Sequence, residues 1–166
     1  MAAVPDHYVL DDGTERWEVD HMLHRDGGPA LIFPDGTKTW YRHGVIHRDG
    51  GPAVEMEHGT KKWYQNGLEH RADRPAVEYG DGRPGKWYFQ GKLHREDGPA
   101  MVDRAGKEFW FIHGRALGEV EVAERKEKIA ADRRLKQSEI EGQRAADIIA
   151  QGTQRPVKPM KPLKFG

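Results

Sequence analysis

The 166-residue chain has no cysteine. A disulfide framework, a thiolate metal site and a cysteine nucleophile are therefore excluded. Long hydrophobic runs are also missing. The stretches Ala30-Leu31-Ile32-Phe33 and Phe109-Trp110-Phe111-Ile112 are only four residues each, whereas a membrane-spanning helix needs about 20. No sign of charge dominates, with 27 Lys+Arg against 27 Asp+Glu. A general nucleic-acid binder usually carries a basic excess, so nucleic acid is not an expected partner of the chain's body. The N-terminal MAAVPDHYVLDDG lacks a basic region followed by an apolar one. No secretion signal is expected, and the cytoplasm is the expected compartment. Apolar residues make up 36% and charged ones 33%, a balance that predicts a thin core.

What the chain does have is glycine, 20 residues of it, 16 of them before residue 115. The charge balance also divides. Residues 1–118 carry 16 basic and 19 acidic side chains, net −3. Residues 119–150 carry 7 and 8, and residues 151–166 carry 4 and none, net +4. This predicts three parts: a turn-rich body at 1–118, a helix at 119–151 and a basic extended tail at 152–166.

The body is a repeat. Trp17, Trp40, Trp63, Trp87 and Trp110 are spaced 23, 23, 24 and 23 residues apart, and His24, His47, His70 and His94 follow at 23, 23 and 24. The units read WEVDHMLHRDGGPALIFPDGTKT, WYRHGVIHRDGGPAVEMEHGTKK, WYQNGLEHRADRPAVEYGDGRPGK and WYFQGKLHREDGPAMVDRAGKEF, closed by WFIHGRAL. The stretch Tyr8 to Thr14 matches the second half of a unit.

Each unit predicts two short strands and two turns. One strand runs through the Trp, as in Lys61–Gln65, because aromatic and alternating residues suit a pleated, half-buried surface. A Gly turn follows at His43-Gly44, Asn66-Gly67, Gln90-Gly91 and His113-Gly114. Asn-Gly is the strongest of these hairpin signals. The second strand begins after Pro29, Pro52, Pro75 or Pro99, since proline gives up a ladder donor and suits a strand's first position. The expected fold is mainly β: an elongated antiparallel meander of about 23-residue units that bury their apolar faces on one another, plus the helix and tail. A parallel solenoid with one turn per unit is the competing geometry.

Asn66-Gly67-Leu68-Glu69-His70 and Phe33-Pro34-Asp35-Gly36, at this period, resemble MORN repeats. The WYxxGxxHRxxGPA pattern is closer still to the MORN-variant repeats of bacterial and phage proteins, over about residues 8–117. The resemblance implies an antiparallel repeat sheet that serves as an interaction platform, with lipid binding also proposed for such arrays. Here Arg25, Arg48, Arg71 and Arg95 replace the Gly that normally follows the His. A phage origin would place the chain in the host cytoplasm or the virion.

The chain has no G-x-S-x-G, H-E-x-x-H or Walker loop. His24-Arg25-Asp26 and His47-Arg48-Asp49 echo the kinase H-R-D but continue Gly-Gly-Pro, where a kinase needs a Leu and a metal-binding Asn. Equivalent His positions should lie two inter-strand steps apart, roughly 9–10 Å, too far to share an ion held at about 2.1 Å. His24, His47, His70 and His94 therefore read as turn-tying residues, and the five Trp as a packing spine. Neither metal nor cofactor is expected. Tyr41, Tyr64, Tyr88 and Phe111 alternate with the Trp, so they share the opposite face, a candidate partner-binding surface.

Glu119 to Gln151 has no Pro and is rich in helix formers. Glu121/Arg125, Glu124/Lys128 and Asp132/Lys136 stand in the favourable i,i+4 order, and Gly142 is a candidate break. In the tail, Pro156, Pro159 and Pro162 repeat every three residues. So do Arg155, Lys158, Lys161 and Lys164, and so do Val157, Met160 and Leu163. Polyproline II has three residues per turn. In that form the tail has a proline, a cationic and an apolar face, suited to a protein partner's acidic groove or to nucleic acid.

The expected function is a non-enzymatic scaffold, anchored to a larger assembly by helix and tail, such as a phage virion or accessory component. An antitoxin-like or anti-defence regulator that sequesters an effector is the alternative, and a metal hydrolase using the His column is a third. A second copy of the chain is a candidate partner, because a sheet edge can pair with another.

Overall fold

A computed structural model describes residues 4–152. The chain opens with β1 (Asp6–Val9) and β2 (Glu15–Val19), and β2 carries Trp17. The first unit continues with β3 (Met22–Leu23), β4 (Leu31–Ile32) and β5 (Lys38–Thr39). The second holds β6 (Tyr41–Arg42), β7 (Val45–Ile46), β8 (Val54–Glu55) and β9 (Lys61–Lys62). The third holds β10 (Tyr64–Gln65), β11 (Leu68–Glu69) and β12 (Val77–Glu78). The fourth holds β13 (Tyr88–Phe89), β14 (Lys92–Leu93), β15 (Met101–Val102) and β16 (Glu108–Phe109). The partial fifth supplies β17 (Phe111–Ile112) and β18 (Arg115–Ala116), and α1 (Glu119–Gly152) follows. Every strand pairing among the described residues is antiparallel. The meander, not the parallel solenoid, is the architecture. The chain divides into two units, with the boundary after Val122.

Two kinds of hairpin alternate. In the first, β4–β5 and β8–β9 join a continuous sheet of order β1-β2-β4-β5-β8-β9-β12, with β3 on β2. A carboxylate ties the β4–β5 turn, where Asp35 Oδ1 accepts the Thr37 N–H at 2.8 Å, and the β1–β2 turn, where Asp12 Oδ1 accepts that of Thr14 at 2.9 Å; the β8–β9 turn is closed by backbone bonds, Gly59 N to Met56 O at 2.9 Å among them. In the second kind, β6–β7, β10–β11, β13–β14 and β17–β18 each stand as a two-stranded pair. Their turns place both central residues at positive φ, as at Asn66 (50°) and Gly67 (80°). That is the twist a two-residue hairpin needs. The first unit makes the same turn with Asp20 (49°) and His21 (59°), a turn the sequence does not announce because it contains no glycine.

The single strand expected through each Trp is split in later units. Trp63 separates β9 from β10. Its N–H donates to Ala76 O at 2.8 Å, while its carbonyl accepts from His70 N at 3.0 Å. The Trp is the corner where the chain passes from one ladder to the other. Trp40 and Trp87 are held by the same two bonds.

The core is thin. Ala30, Ala53, Ala76 and Ala100 are 0% exposed, and no large side chain is fully buried among the described residues. The closest-packed column is therefore alanine. Trp110 is buried, but Trp17, Trp40, Trp63 and Trp87 are only half-buried. A methyl group lets neighbouring ladders approach in a way an indole would not.

The 24-residue third unit interrupts the continuous sheet. After β12, the Gly80–Gly85 loop returns only as far as a single bridge, Val77 to Lys86, and β15–β16 pair apart from that sheet. The loop lies close to its neighbours: a Cβ on Gly80 would come within 2.0 Å of His58 O.

The helix starts at a cap. Glu121 reaches back to the Gly118 N–H at 3.0 Å and pairs with Arg115 at 2.8 Å. This is the reciprocal half of a capping box. Glu121 is thus engaged from the strand β18 as well as by the helix. Gly142 does not break α1. One interior glycine costs about 1 kcal/mol against alanine, too little to end a helix rich in strong formers. Residues 131–150 are all exposed, with Leu135, Ile140 and Ile148 at 62, 48 and 71%. Among the described residues no helix is long and apolar enough to cross a membrane.

Candidate functional site: a row of inter-unit clefts

The His-Arg segment of each unit does two things. First, its histidine binds the next unit. Nδ1 of His24, His47, His70 and His94 accepts the backbone N–H of His43, Asn66, Gln90 and His113 at 3.3, 3.1, 3.1 and 3.2 Å. Each acceptor serves the first positive-φ residue of the following hairpin. On the other side of the ring, Nε2 faces Asp49 Oδ1 at 3.0 Å in the second unit and Asp26 Oδ1 at 3.6 Å in the first. Stacked pairs extend this contact: His24 on His43 and His94 on His113, both with centroids 4.2 Å apart.

Second, the arginine folds onto its unit's tryptophan. The guanidinium carbons of Arg25, Arg48, Arg71 and Arg95 lie 3.9, 3.9, 3.9 and 4.0 Å from the Trp17, Trp40, Trp63 and Trp87 centroids. That is cation–π distance. Each also donates to the carbonyl of the unit's proline, at 2.9 Å for Arg48 and Pro52. Arg48 adds Glu55 at 2.8 Å, Arg71 adds Glu78 at 2.7 Å, and Arg95 adds Asp97 at 2.7 Å.

These segments leave a cleft at three successive junctions. The first, ≈ 320 Å³, lies between His24, Arg25 and Asp26 of one unit and Trp40, His47, Arg48 and Asp49 of the next. The second, ≈ 300 Å³, is lined by Arg48, Trp63, Tyr64, His70, Arg71 and Asp73. The third, ≈ 300 Å³, is lined by Arg71, Asp73, Trp87, Phe89, His94, Arg95 and Asp97. The pattern repeats: an indole, an imidazole, folded guanidiniums and a carboxylate. Exposure sorts the charges. The Arg71 and Arg95 side chains are 18 and 24% exposed, whereas those of Asp26, Asp49 and Asp97 are 73, 67 and 70% exposed. Arg42 also lines the first cleft, 52% exposed, and pairs with Asp49.

Tyr41, Tyr64 and Tyr88 form a half-buried column. Burial raises the phenol pKa of Tyr41 and of Tyr88. Tyr64 is pushed up to about 12, by burial first and then by the Glu69 carboxylate, which accepts its hydroxyl at 3.2 Å. Phe111 is half-buried in the equivalent place. Of this face, only Tyr64 lines one of the clefts above. The tail residues Arg155, Val157, Lys158, Met160, Lys161, Leu163 and Lys164 lie outside the described residues.

Among the described residues, no three His, Asp or Glu side chains gather as a metal site. His24 stacks on His43. Sequence reasoning places partner contacts on the Tyr face and the tail. The clefts bring in Arg25, Arg48, Arg71, Arg95 and the rim carboxylates as well. Their signal was the shared period of the His-Arg-acid segment, which by itself does not say that the segment faces a gap. No protein-family model, curated protein or solved structure matches the chain.

Proposed function

We propose that the chain is a non-enzymatic repeat scaffold. Its array offers the row of clefts and the Tyr41/Tyr64/Tyr88 face to protein partners. The helix and the Lys-Pro tail anchor it in a larger assembly, with a phage virion or accessory complex as the setting. The observation that carries this reading is recurrence. The same indole, imidazole, guanidinium and carboxylate come together at successive junctions, which suits an extended partner met at several equivalent points. A catalyst needs one constellation that differs from its surroundings. The exposed Leu135, Ile140 and Ile148 of α1 support anchoring, since a helix in water draws most of its stability from packing an apolar face. The resemblance to MORN-variant repeats points the same way.

Affinity capture with the whole chain and with a chain ending at Gly118 tests the proposal. Several assembly proteins are expected with the whole chain and are expected to be lost from the shortened one. Full retention by the shortened chain removes the anchoring role. Recovery of one stoichiometric host enzyme instead turns the reading to an antitoxin-like regulator.

A further inference from the structure

We propose that the junction between the third and fourth units is an acid-released hinge, with His70 as its trigger. Nδ1 of His70 accepts the Gln90 N–H at 3.1 Å. A backbone N–H can only donate, so this bond uses the Nδ1 lone pair and needs the neutral ring. Protonation puts a hydrogen on that nitrogen. Two N–H groups then face each other, and the bond is lost. Imidazole is the side chain that changes charge between pH 5 and 8. The bond is therefore in place at the upper end of that range and lost as pH falls through it.

The second junction tolerates either charge state. There Nδ1 of His47 accepts the Asn66 N–H at 3.1 Å, and Asn66 Oδ1 lies 3.1 Å from the same nitrogen. When His47 is protonated, its Nδ1–H can donate to that oxygen, and Asp49 Oδ1, 3.0 Å from Nε2, pairs with the cation. The third junction lacks both devices. Gln90 stands where Asn66 does, and Ala72 stands where Asp49 does. Among the described residues His70 makes no ion pair, whereas His24 and His47 pair with Asp26 and Asp49. The charged and titratable groups around His70 come from three units. Arg48 of the second unit and Tyr64, Arg71 and Asp73 of the third line its cleft, with both arginines already bonded to Glu55 and Glu78. From the fourth unit, Phe89 covers the ring at 4.8 Å between centroids and has His94 at 5.7 Å.

Position makes His70 the hinge. The first and second junctions are backed by the β5–β8 and β9–β12 ladders. Behind the third there is only the bridge of Val77 to Lys86, and β15–β16 pair apart from the sheet. Once the His70 bond is gone, the hairpin side keeps Gly91 N to Glu69 O at 2.9 Å and Arg71 N to Tyr88 O at 3.2 Å. His24 and His94 also accept a backbone N–H. The junction of His24 has its ladder, and His94 serves only the closing hairpin β17–β18. Loss at His70 alone divides the array into two blocks. The cleft lined by Arg71, Asp73, Trp87 and His94 spans this junction, so acid removes one member of the row.

Amide hydrogen exchange of the whole chain, followed by NMR at about pH 7.5 and about pH 5, tests the proposal across the imidazole range. The protection factor of the Gln90 amide is expected to fall about ten-fold in acid, the scale of one hydrogen bond, while that of Asn66 is kept. A reciprocal exchange of residues then assigns the cause. Gln90→Asn with Ala72→Asp copies the second junction onto the third and should remove the acid loss at residue 90. Asn66→Gln with Asp49→Ala copies the third onto the second and should create an acid loss at residue 66. Each substitution uses a residue type that the array already carries at an equivalent place, and protection at pH 7.5 reports that the variant is folded. Equal protection of Gln90 at both pH values overturns the proposal. So does an acid loss at residue 90 that the double substitution leaves unchanged, or an equal fall at Asn66 and Gln90, which would be a general loosening of the array.

Discussion

In the array, contacts such as that of His47 with Asn66 reach one unit along the chain, whereas in α1 a bond such as that of Gln137 with Glu141 stays within one turn of the helix. Gly80 and Gly142 show the consequence. Gly80 faces the His58 carbonyl across the gap to the preceding unit, whereas a Cβ on Gly142 would meet nothing within 4 Å. Array stability depends on how closely neighbouring ladders approach, and helix stability on local propensity. The same kind of substitution should therefore act differently in the two regions.

The largest effect is expected at those glycines. Gly80→Ala places a Cβ 2.0 Å from a backbone oxygen and should destabilise the array by about 3 kcal/mol, the scale of overpacking that shifts backbone. Gly142→Ala should stabilise α1 by about 0.5–1 kcal/mol. Thermal melts followed at the tryptophans and in the far ultraviolet separate the two. Equal and small effects would end the contrast.

The arginines sharpen it. Arg71→Ala removes the stack on Trp63, the bond to the Pro75 carbonyl and the pair with Glu78. A loss of about 1–2 kcal/mol is expected. Arg134→Ala, on the exposed helix surface, should change stability by no more than about 0.5 kcal/mol. Urea titration of both variants measures the difference, and an Arg71 loss as small as that at Arg134 would mean the stacks contribute nothing.

The smallest effect is at the junction of the two kinds of structure. The Arg115 guanidinium, with help from the Gly118 N–H, holds Glu121 at about 2 instead of the ordinary 4.5. Its folded value is depressed, so the cap is fully in place above about pH 4.5 and is lost as pH falls toward 2. An NMR titration of the Glu121 side chain should show the low midpoint, and Arg115→Ala should move it upward.

Much of the array was legible because repetition multiplies weak signals. One Asn-Gly or one Trp says little, but five Trp at a near-constant spacing identify both the unit and its two turns. The turn at Asp20-His21 was not legible, since its strain is imposed by a strand pairing rather than announced by glycine. Nor was the split of the strand at Trp40, Trp63 and Trp110. Alternation marks which residues are pleated and does not show where the chain changes partner. The unbroken passage of α1 through Gly142 is the reverse case, in which local propensity outweighs a single unfavourable residue.

The sequence by itself determined the repeat, its antiparallel turns, the thin core and the extent of the helix, because each depends on local conformational preference and composition. Only the tertiary structure decided what the His-Arg-acid segment does. Its imidazoles serve the next unit's backbone, its guanidiniums lie on their own indoles, and its carboxylates are left exposed along a row of clefts. Those roles depend on groups brought together by the stacking of units, at distances that no local pattern along the chain encodes.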